Sequence, residues 1–438
     1  MRRPGIRQFL RYALRYRGWR CYLRLPGDGR ERPQIPASAL VRALLVTRLL
    51  RQSSFLAVEG LVCSAARCVL AVRASFGDDA VGYFTERLAA DPLRMAAARV
   101  VRQAKRNKAF DKSRWIGLAI DGTGAGRSRQ KRCDQCHPVT NDKKEIIGYH
   151  HKVVMVSVVG TGLSLPLDVE PYGPGDSEYA AGRRLLQRCV KNVGIRFANY
   201  AVADGEFATS PFLHTVGDAG LKVVARLKAN LPQLYEAAQR RFASPPPDRK
   251  FRDGSDWVEI WDADDFDPWE SLRWETVRVI RYRQHKRDGT VVEAYWLTDF
   301  SMSEAGSQAI YRMAKSRWEI ENEGFNDAKN RYGFEHICHH HRNSILVNWL
   351  IIALAMTLER LYRTRHLHRG LHALLEPIEL YRLLVLSLAA AANTSLLPAN
   401  RLRSSPVSTL VHGDQGIERP QRKKTAAKTP SFMANCES

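Results

Sequence analysis

Two aspartates and one glutamate lie far apart in this chain, each where a carboxylate can do more than solvate a surface. Asp121 closes the apolar run "RWIGLAID" and precedes the glycines of "LAIDGTGAG"; Asp204 closes "NYAVAD" ahead of Gly205. Both read apolar run, Asp, Gly. At a strand end a side chain can leave the sheet for a cleft. Two parallel neighbouring strands would set the carboxylates side by side, where they repel unless a divalent cation sits between them. Each Asp therefore strengthens the metal reading of the other, whereas a single Asp-Gly pair reads as a turn.

A third acid comes from "RWEIENEGF". Glu321 lies one helical turn after Arg317, and locally the two read as an i,i+4 ion pair. On helical spacing Arg317, Glu321, Phe325 and Ala328 share a face. Glu319 and Glu323 are rival acids that point elsewhere.

A second cluster is built from softer ligands. Cys133 and Cys136 form a C-x2-C with His137, His150 and His151 nearby, and "EHICHHHRN" supplies Cys338, His339, His340 and His341. A C-x2-C with histidine has zinc-ligand spacing. One reading is a structural zinc on Cys133 and Cys136, clamping the loop after Asp121. The other is reduced thiols on a loop with histidines against phosphate. His150 and His151 are expected to begin a strand near the cleft. The eight cysteines, Cys21 and Cys436 among them, are too scattered for a disulfide framework and fit a reducing cytoplasm.

Stepping outward to the elements that must carry these groups, the chain has 438 residues and a formal charge of +23. Such a balance points to a polyanion, most often nucleic acid, while the 45% apolar content allows a sizeable core. The N-terminal "MRRPGIRQFLRYALRYRGWRCYLRLPGDGRERPQ" interleaves Arg with aromatics, as suits phosphate contact and stacking. A mitochondrial targeting reading of this segment is the lesser one, and it has no apolar core of a secretory signal. The spacing predicts helices over 37–110, with Pro92 at a restart. Residues 1–110 are thus a basic arm and helical region suited to DNA, or to bracing the domain that follows. Strands follow at 114–121, 149–160 and 162–173, the last with its turn, then a helix at 176–193 and strands at 199–207 and 221–230. Strands that come first as neighbours and later alternate with helices give an α/β fold with a mixed sheet flanked by helices. Residues 231–299 read as a β-rich insertion with a hairpin at "RDG". A helix starts at Ser303, before Glu304 and Gln308, and runs to 336. The apolar runs 345–356 and 383–397 are short of the ~20 residues of a spanning helix and read as buried helices. The catalytic-size domain spans 111–392, and 393–438 is a basic, disordered tail.

The order Asp, Asp, Glu, with the Glu on a helix within Arg-Trp-x-Ile-Glu, resembles the DDE transposases of bacterial insertion sequences. More narrowly it resembles the branch with a β-rich insertion before the Glu and an Arg-x3-Glu helix motif. Asp204 follows Asp121 by 83 residues and Glu321 follows Asp204 by 117, room for the insertion. "IDGT", "ADGEF", "RLKAN" and "RWEIENEGFNDAKN" carry the resemblance over 114–345. The branch's helix pattern, Tyr-x2-Arg-x3-Glu-x6-Lys, is matched at Arg317 and Glu321. Its Tyr position is Ala314, with Tyr311 one turn earlier, and its Lys position is Ala328, with Lys329 adjacent.

The resemblance implies an RNase H-like core of five strands. In it Asp121, Asp204 and Glu321 are catalytic and hold two Mg²⁺ ions, for which Mn²⁺ substitutes, about 3.5–4 Å apart. Arg317 would orient a carboxylate or contact phosphate, and Lys329 would contact DNA. The reaction would be hydrolysis at an element's end followed by strand transfer. The partners would be double-stranded DNA, as element ends and target, and a second copy of the chain. A bacterial, cytoplasmic, membrane-free setting is implied. Two other classes share the fold: a DNA-binding protein without turnover, against which the intact acids weigh, and a related nuclease such as a Holliday-junction resolvase, against which the insertion and the helical N-terminal region weigh.

Overall fold

The computed structural model describes residues 5–16, 27–367 and 376–395, all within one unit, Met1–Leu396. Cys21, Cys436, part of the basic N-terminal arm and the expected tail from 396 onward lie outside them. The chain opens with helices α1 (Ile6–Arg15), α2 (Ala37–Leu49), α3 (Phe55–Cys63), α4 (Ala66–Val69), α5 (Asp78–Arg87) and α6 (Ala90–Arg106). The break between α2 and α3 falls at a cap: the Ser54 hydroxyl accepts a hydrogen bond from the N–H of Ala57.

Next come β1 (Gly117–Ser128), β2 (His137–Thr140), β3 (Ile146–Val159) and β4 (Leu165–Tyr172), then α7 (Glu178–Val193), β5 (Tyr200–Ala203), α8 (Ser210–Asp218) and β6 (Lys222–Leu227). Valine-rich β3 is the centre of an antiparallel trio, paired with β1 on one side and β4 on the other. On the far side of β1, β5 and β6 run parallel to it. The order β4-β3-β1-β5-β6 is the five-stranded mixed sheet of an RNase H-like core, and β2 adds a short strand to β3.

The stretch 231–299 is the expected β-rich insertion, and its strands join the main sheet. After α9 (Pro232–Arg241), the strands β7 (Arg249–Asp253), β8 (Asp256–Phe266), β9 (Val277–His285) and β10 (Val291–Thr298) fold back so that β10 pairs antiparallel with β6. The main sheet is thereby extended in the order β6-β10-β9-β8-β7. A free β6 edge would expose unpaired backbone groups, and the insertion covers them. The hairpin at "RDG" joins β9 to β10, with Gly289 at φ +83. A second hairpin, β7–β8, turns at Gly254 with φ +63. It is hidden in a stretch whose prolines read only as a turn.

The next helix begins later than its sequence signals suggest. Ser301 and Glu304 close a loop on each other, and α10 (Ser307–Glu319) starts after Gly306. Nor is it continuous to 336. A π turn, Ile320–Phe325, separates it from α11 (Asn326–Tyr332), which ends at Gly333 with φ +68. The insertion holds α10 in place: the Tyr311 hydroxyl donates to Asp253 Oδ2 at 2.8 Å and Lys315 Nζ lies 2.6 Å from the same atom.

The run 345–356 lies in α12 (Arg342–Leu361), almost wholly buried, as expected. By length and composition Arg342–His366 would suffice to cross a membrane, and 94% of that apolar window is buried inside the protein. The second apolar run differs from expectation. Among the described residues, only one face of α13 (Pro377–Ser395) is covered: Leu380, Leu384 and Leu388 are buried while Leu386 is 67% exposed.

The N-terminal helices join this core through charge as well as apolar contact. Asp168, buried on β4, accepts from Arg94 Nε of α6 at 3.1 Å and from Arg188 Nε of α7 at 2.9 Å. Glu170 faces the same two guanidinium groups. Removing one partner of a buried pair leaves uncompensated charge. Asp168→Ala should therefore lower unfolding stability by about 3 kcal/mol, the lower end for such losses because Glu170 stays. Denaturant titration reads this directly, and a loss under about 1 kcal/mol, the worth of a surface pair, would contradict it.

Candidate active site

β1 and β5 run parallel in register from Gly117 and Tyr200 to Ile120 and Ala203. The next residue on each strand is Asp121 on one and Asp204 on the other. There β5 stops and turns into a short 3-10 segment, Gly205–Phe207, while β1 continues along β3 to Ser128. Asp121 therefore lies within its strand, not at its end. The opening it faces is made by the departure of its parallel partner. Gly122 and Gly124 do not turn the chain; the irregularity of β1 falls at Gly126, with φ +66. Gly122 serves a different need, because a Cβ there would collide with the carboxylate of Glu178.

The third acid is brought in by α10 and its π turn. Arg317, only 5% exposed, donates through Nη1 to Glu321 Oε1 at 2.6 Å and to Asp121 Oδ2 at 3.3 Å. The expected helical ion pair exists, and the same guanidinium joins the helix acid to the strand acid. The π turn widens the helix where Glu321 sits, so the even face expected from Arg317 to Ala328 is not kept. Gly324 presses this turn onto β3, where a Cβ would come within 3.2 Å of Ile320 and 3.5 Å of Met155. The Glu323 carbonyl accepts a hydrogen bond from Arg360 of α12.

Each acid has its own environment. Burial pushes the Asp121 carboxyl up to about 7, against the pull of Arg317 and of the Gly122 N–H. Burial also raises Asp204, but the Lys228 ammonium, 2.5 Å away, and the Gly205 N–H outweigh it and hold this carboxyl below the ordinary range. Glu321 is half exposed.

A fourth acid, Glu178, joins the cluster. It opens α7 behind the Ser177 cap, accepts from the Tyr172 hydroxyl at 3.1 Å, and covers Gly122. Burial raises its carboxyl, and Glu206 and Asp204 add repulsion. Sequence reasoning missed it because an acid in the first turn of a helix ordinarily just complements the dipole. Lys228, within the "RLKAN" stretch, likewise emerges as a site residue only from its contact with Asp204.

Beside the acids, Gly124–Ser128 of β1, Arg129 just after it, Tyr149 and His150 of β3, and Lys329 line a groove of about 620 Å³. Lys329 lies 3.4 Å from Glu335 at this rim. Ala314 and Ala328, at the Tyr and Lys positions of the helix pattern, are buried.

The sulfur and imidazole groups divide. His137 Nε2 meets the Tyr172 carbonyl and its ring stacks on His150. His339 pairs with Glu86 and stacks on His341, while Cys338 bonds to Arg48 and the Ser53 carbonyl. Cys133, Cys136, His151 and His340 converge, with their ligand atoms all within 4.8 Å of one another.

Of the rival acids, Glu319 turns away from the cluster and accepts the Gly160 N–H at 3.1 Å. Burial pushes its carboxyl up from 4.5 to about 7. Between those values the folded chain holds a proton that the unfolded chain has released. This group's contribution to stability is thus full below about 4.5 and lost as the pH rises through about 7. In melts across that range the stability of the wild type minus that of Glu319→Gln should decline with rising pH. A flat difference would show that Glu319 is already ionised in the fold.

Comparison with known proteins bears on this arrangement. Residues 115–358 match the family model described as transposase DDE domain. Among solved structures, one titled as the cryo-EM structure of the piggyBac transposase synaptic complex with hairpin DNA aligns at 14% identity and a TM-score of 0.43. That alignment covers 90% of this chain and 80% of the other. No curated protein matches the chain.

Proposed function

The chain belongs to the transposase DDE domain family and is a DDE-type transposase; from that premise we propose that it cleaves the ends of a bacterial insertion sequence and joins them to target DNA, with Asp121, Asp204 and Glu321 as the catalytic acids. The observation that carries this reading is that Arg317 bonds both Asp121 of β1 and Glu321 of the π turn, while Asp204 follows the parallel strand β5 at the position next to Asp121. Hydrolysis breaks a P–O3′ bond at the element's end and frees a 3′-hydroxyl. That hydroxyl then attacks a target phosphodiester in line, forming one P–O bond as another breaks.

The donor set fits hard divalent cations, since carboxylate oxygens are what Mg²⁺ prefers. Asp121, Asp204 and Glu321 would hold two Mg²⁺ ions, with Mn²⁺ as a substitute, and Glu178 lies where it can support them. When bound, such ions supply an activated water or hydroxyl and stabilise the leaving oxygen. The chain's own residues do the rest. Arg317 fixes the Asp121 and Glu321 carboxylates relative to each other. Lys228 neutralises Asp204. Lys329, Arg127 and Arg129 give the neighbouring groove the charge to receive a DNA backbone. The reading further takes residues 1–110 as a DNA-binding region and the working form as a homodimer on double-stranded DNA in a bacterial cytoplasm. It also includes a structural Zn²⁺ at Cys133 and Cys136.

The test is metal-dependent cleavage and joining of DNA carrying the element's terminal inverted repeats. Outer-shell partners of a metal already cost about 10–100-fold. Asp121→Asn, Asp204→Ala and Glu321→Gln should each therefore lower the rate at least about 100-fold, and Glu323→Gln should stay near wild type. Wild-type rates in Asp204→Ala, or loss in Glu323→Gln with Glu321→Gln active, would refute the assignment. For the groove, Lys329→Ala should weaken DNA binding and flatten the dependence of log affinity on log salt by about 1. An unchanged salt slope would remove Lys329 from the DNA path.

A further inference from the structure

Three segments distant in sequence bring sulfur and imidazole groups to one point behind the groove. Cys133 and Cys136 come from the loop between β1 and β2, His151 from β3, and His340 from the segment between α11 and α12. Cys133 Sγ lies 3.1 Å from His151 Nε2 and 3.6 Å from Cys136 Sγ, and Cys136 Sγ lies 3.7 Å from His151 Nε2. A tetrahedral zinc with ordinary Zn–S and Zn–N bonds of about 2.3 and 2.0–2.1 Å places its ligand atoms roughly 3.3–3.8 Å apart. The side chains already stand near those edges. His340 Nδ1 is buried with no hydrogen-bond partner among the described residues, which leaves a lone pair or proton unanswered. Cys136 and His151 are almost fully buried. Their neighbours in these segments are otherwise engaged: His137, His150, His339, His341 and Cys338 each have another partner.

We propose that Cys133, Cys136, His151 and His340 together bind one Zn²⁺ ion. The site completes the zinc reading of the Cys133–Cys136 pair and rests on it, but not on the DNA chemistry. Two thiolates and two imidazoles in a tetrahedral arrangement suit zinc, and their spacing is too tight to surround a cluster with bridging sulfides. Binding releases the two thiol protons and leaves a neutral site, which can stay buried. The ion fastens the loop that follows the Asp121 strand to a segment beginning soon after the Glu321 helix. Gly126, Arg127, Ser128, Tyr149 and Glu335 line both the cavity at this cluster and the basic groove. The zinc therefore braces the rim of the groove and leaves the acids to other contacts.

The full-length protein, purified under reducing conditions and gel-filtered, should retain one zinc per chain by elemental analysis. Cys136→Ser and His340→Ala should each lose it, and Cys338→Ser should keep it. In the wild type, Cys133 and Cys136 should resist alkylation until zinc is chelated, while the exposed Cys63 and Cys68 react throughout. Cobalt(II) exchanged for zinc should show tetrahedral d–d bands with thiolate charge transfer. Absence of zinc from the wild type, a full equivalent in His340→Ala with an unchanged cobalt spectrum, or a Cys133–Cys136 disulfide in the reduced preparation would each overturn the proposal. The readouts are metal content and thiol reactivity, so failure here is distinct from failure of DNA cleavage.

Discussion

Carboxylates crowded at one point of a low-dielectric sheet repel one another, and the architecture around them answers that repulsion. Asp121 and Asp204 follow the last paired residues of two parallel strands, and Glu178 and Glu321 approach from helices on either side. The protein supplies counter-charge from its own chain. Arg317 is shared by Asp121 and Glu321, Lys228 sits on Asp204, and the Tyr172 hydroxyl serves Glu178. Asp121 is nevertheless pushed up to about 7 by burial. Such a cluster holds negative charge that its internal cations only partly offset, which is the electrostatic condition for taking up divalent metal.

The insertion between the second Asp and the Glu has a mechanical part in this. Because β10 pairs with β6, the four inserted strands lengthen the sheet on which α10 lies. Asp253, at the far hairpin, holds Tyr311 and Lys315 of that helix. Nearer the acids, the Tyr200 hydroxyl of β5 and Ser316 of α10 meet at 2.9 Å. The helix is thus gripped by both the core strands and the inserted ones. The π turn that follows lets it widen at Glu321, and the backbone carbonyl of Glu323 in that turn finds Arg360 on the buried α12.

Much of the core was legible because local chemistry and tertiary demand agree. Valine-rich β3, the Ser177-capped α7 and the short apolar runs ahead of Asp121 and Asp204 all form where their patterns point. The hairpin at "RDG" follows its turn signal. Errors cluster where a turn residue has two meanings. The Asp121–Gly122 pair reads by itself as a turn, whereas the strand continues and Gly122 makes room for Glu178. Ser303 looked like a cap, whereas it belongs to a loop closed by Ser301 and Glu304. The β7–β8 hairpin was masked by prolines beside it.

Residue type and spacing alone singled out Asp121, Asp204 and Glu321 as candidate acids, the Arg317–Glu321 pair, the C-x2-C cysteines as candidate ligands and the alternation of strands and helices, because these are properties of short windows. Which groups share space was decided by tertiary structure. Glu178 reaches Asp121 only through the packing of α7 over β1, and Lys228 reaches Asp204 only because β6 lies beside β5. His151 and His340 were present among several histidines, and the fold alone selects them by bringing β3 and the segment before α12 to the same two cysteines. Sequence separation carries no information about such meetings; the hydrogen-bonded register of the sheet and the burial of the helices across it do.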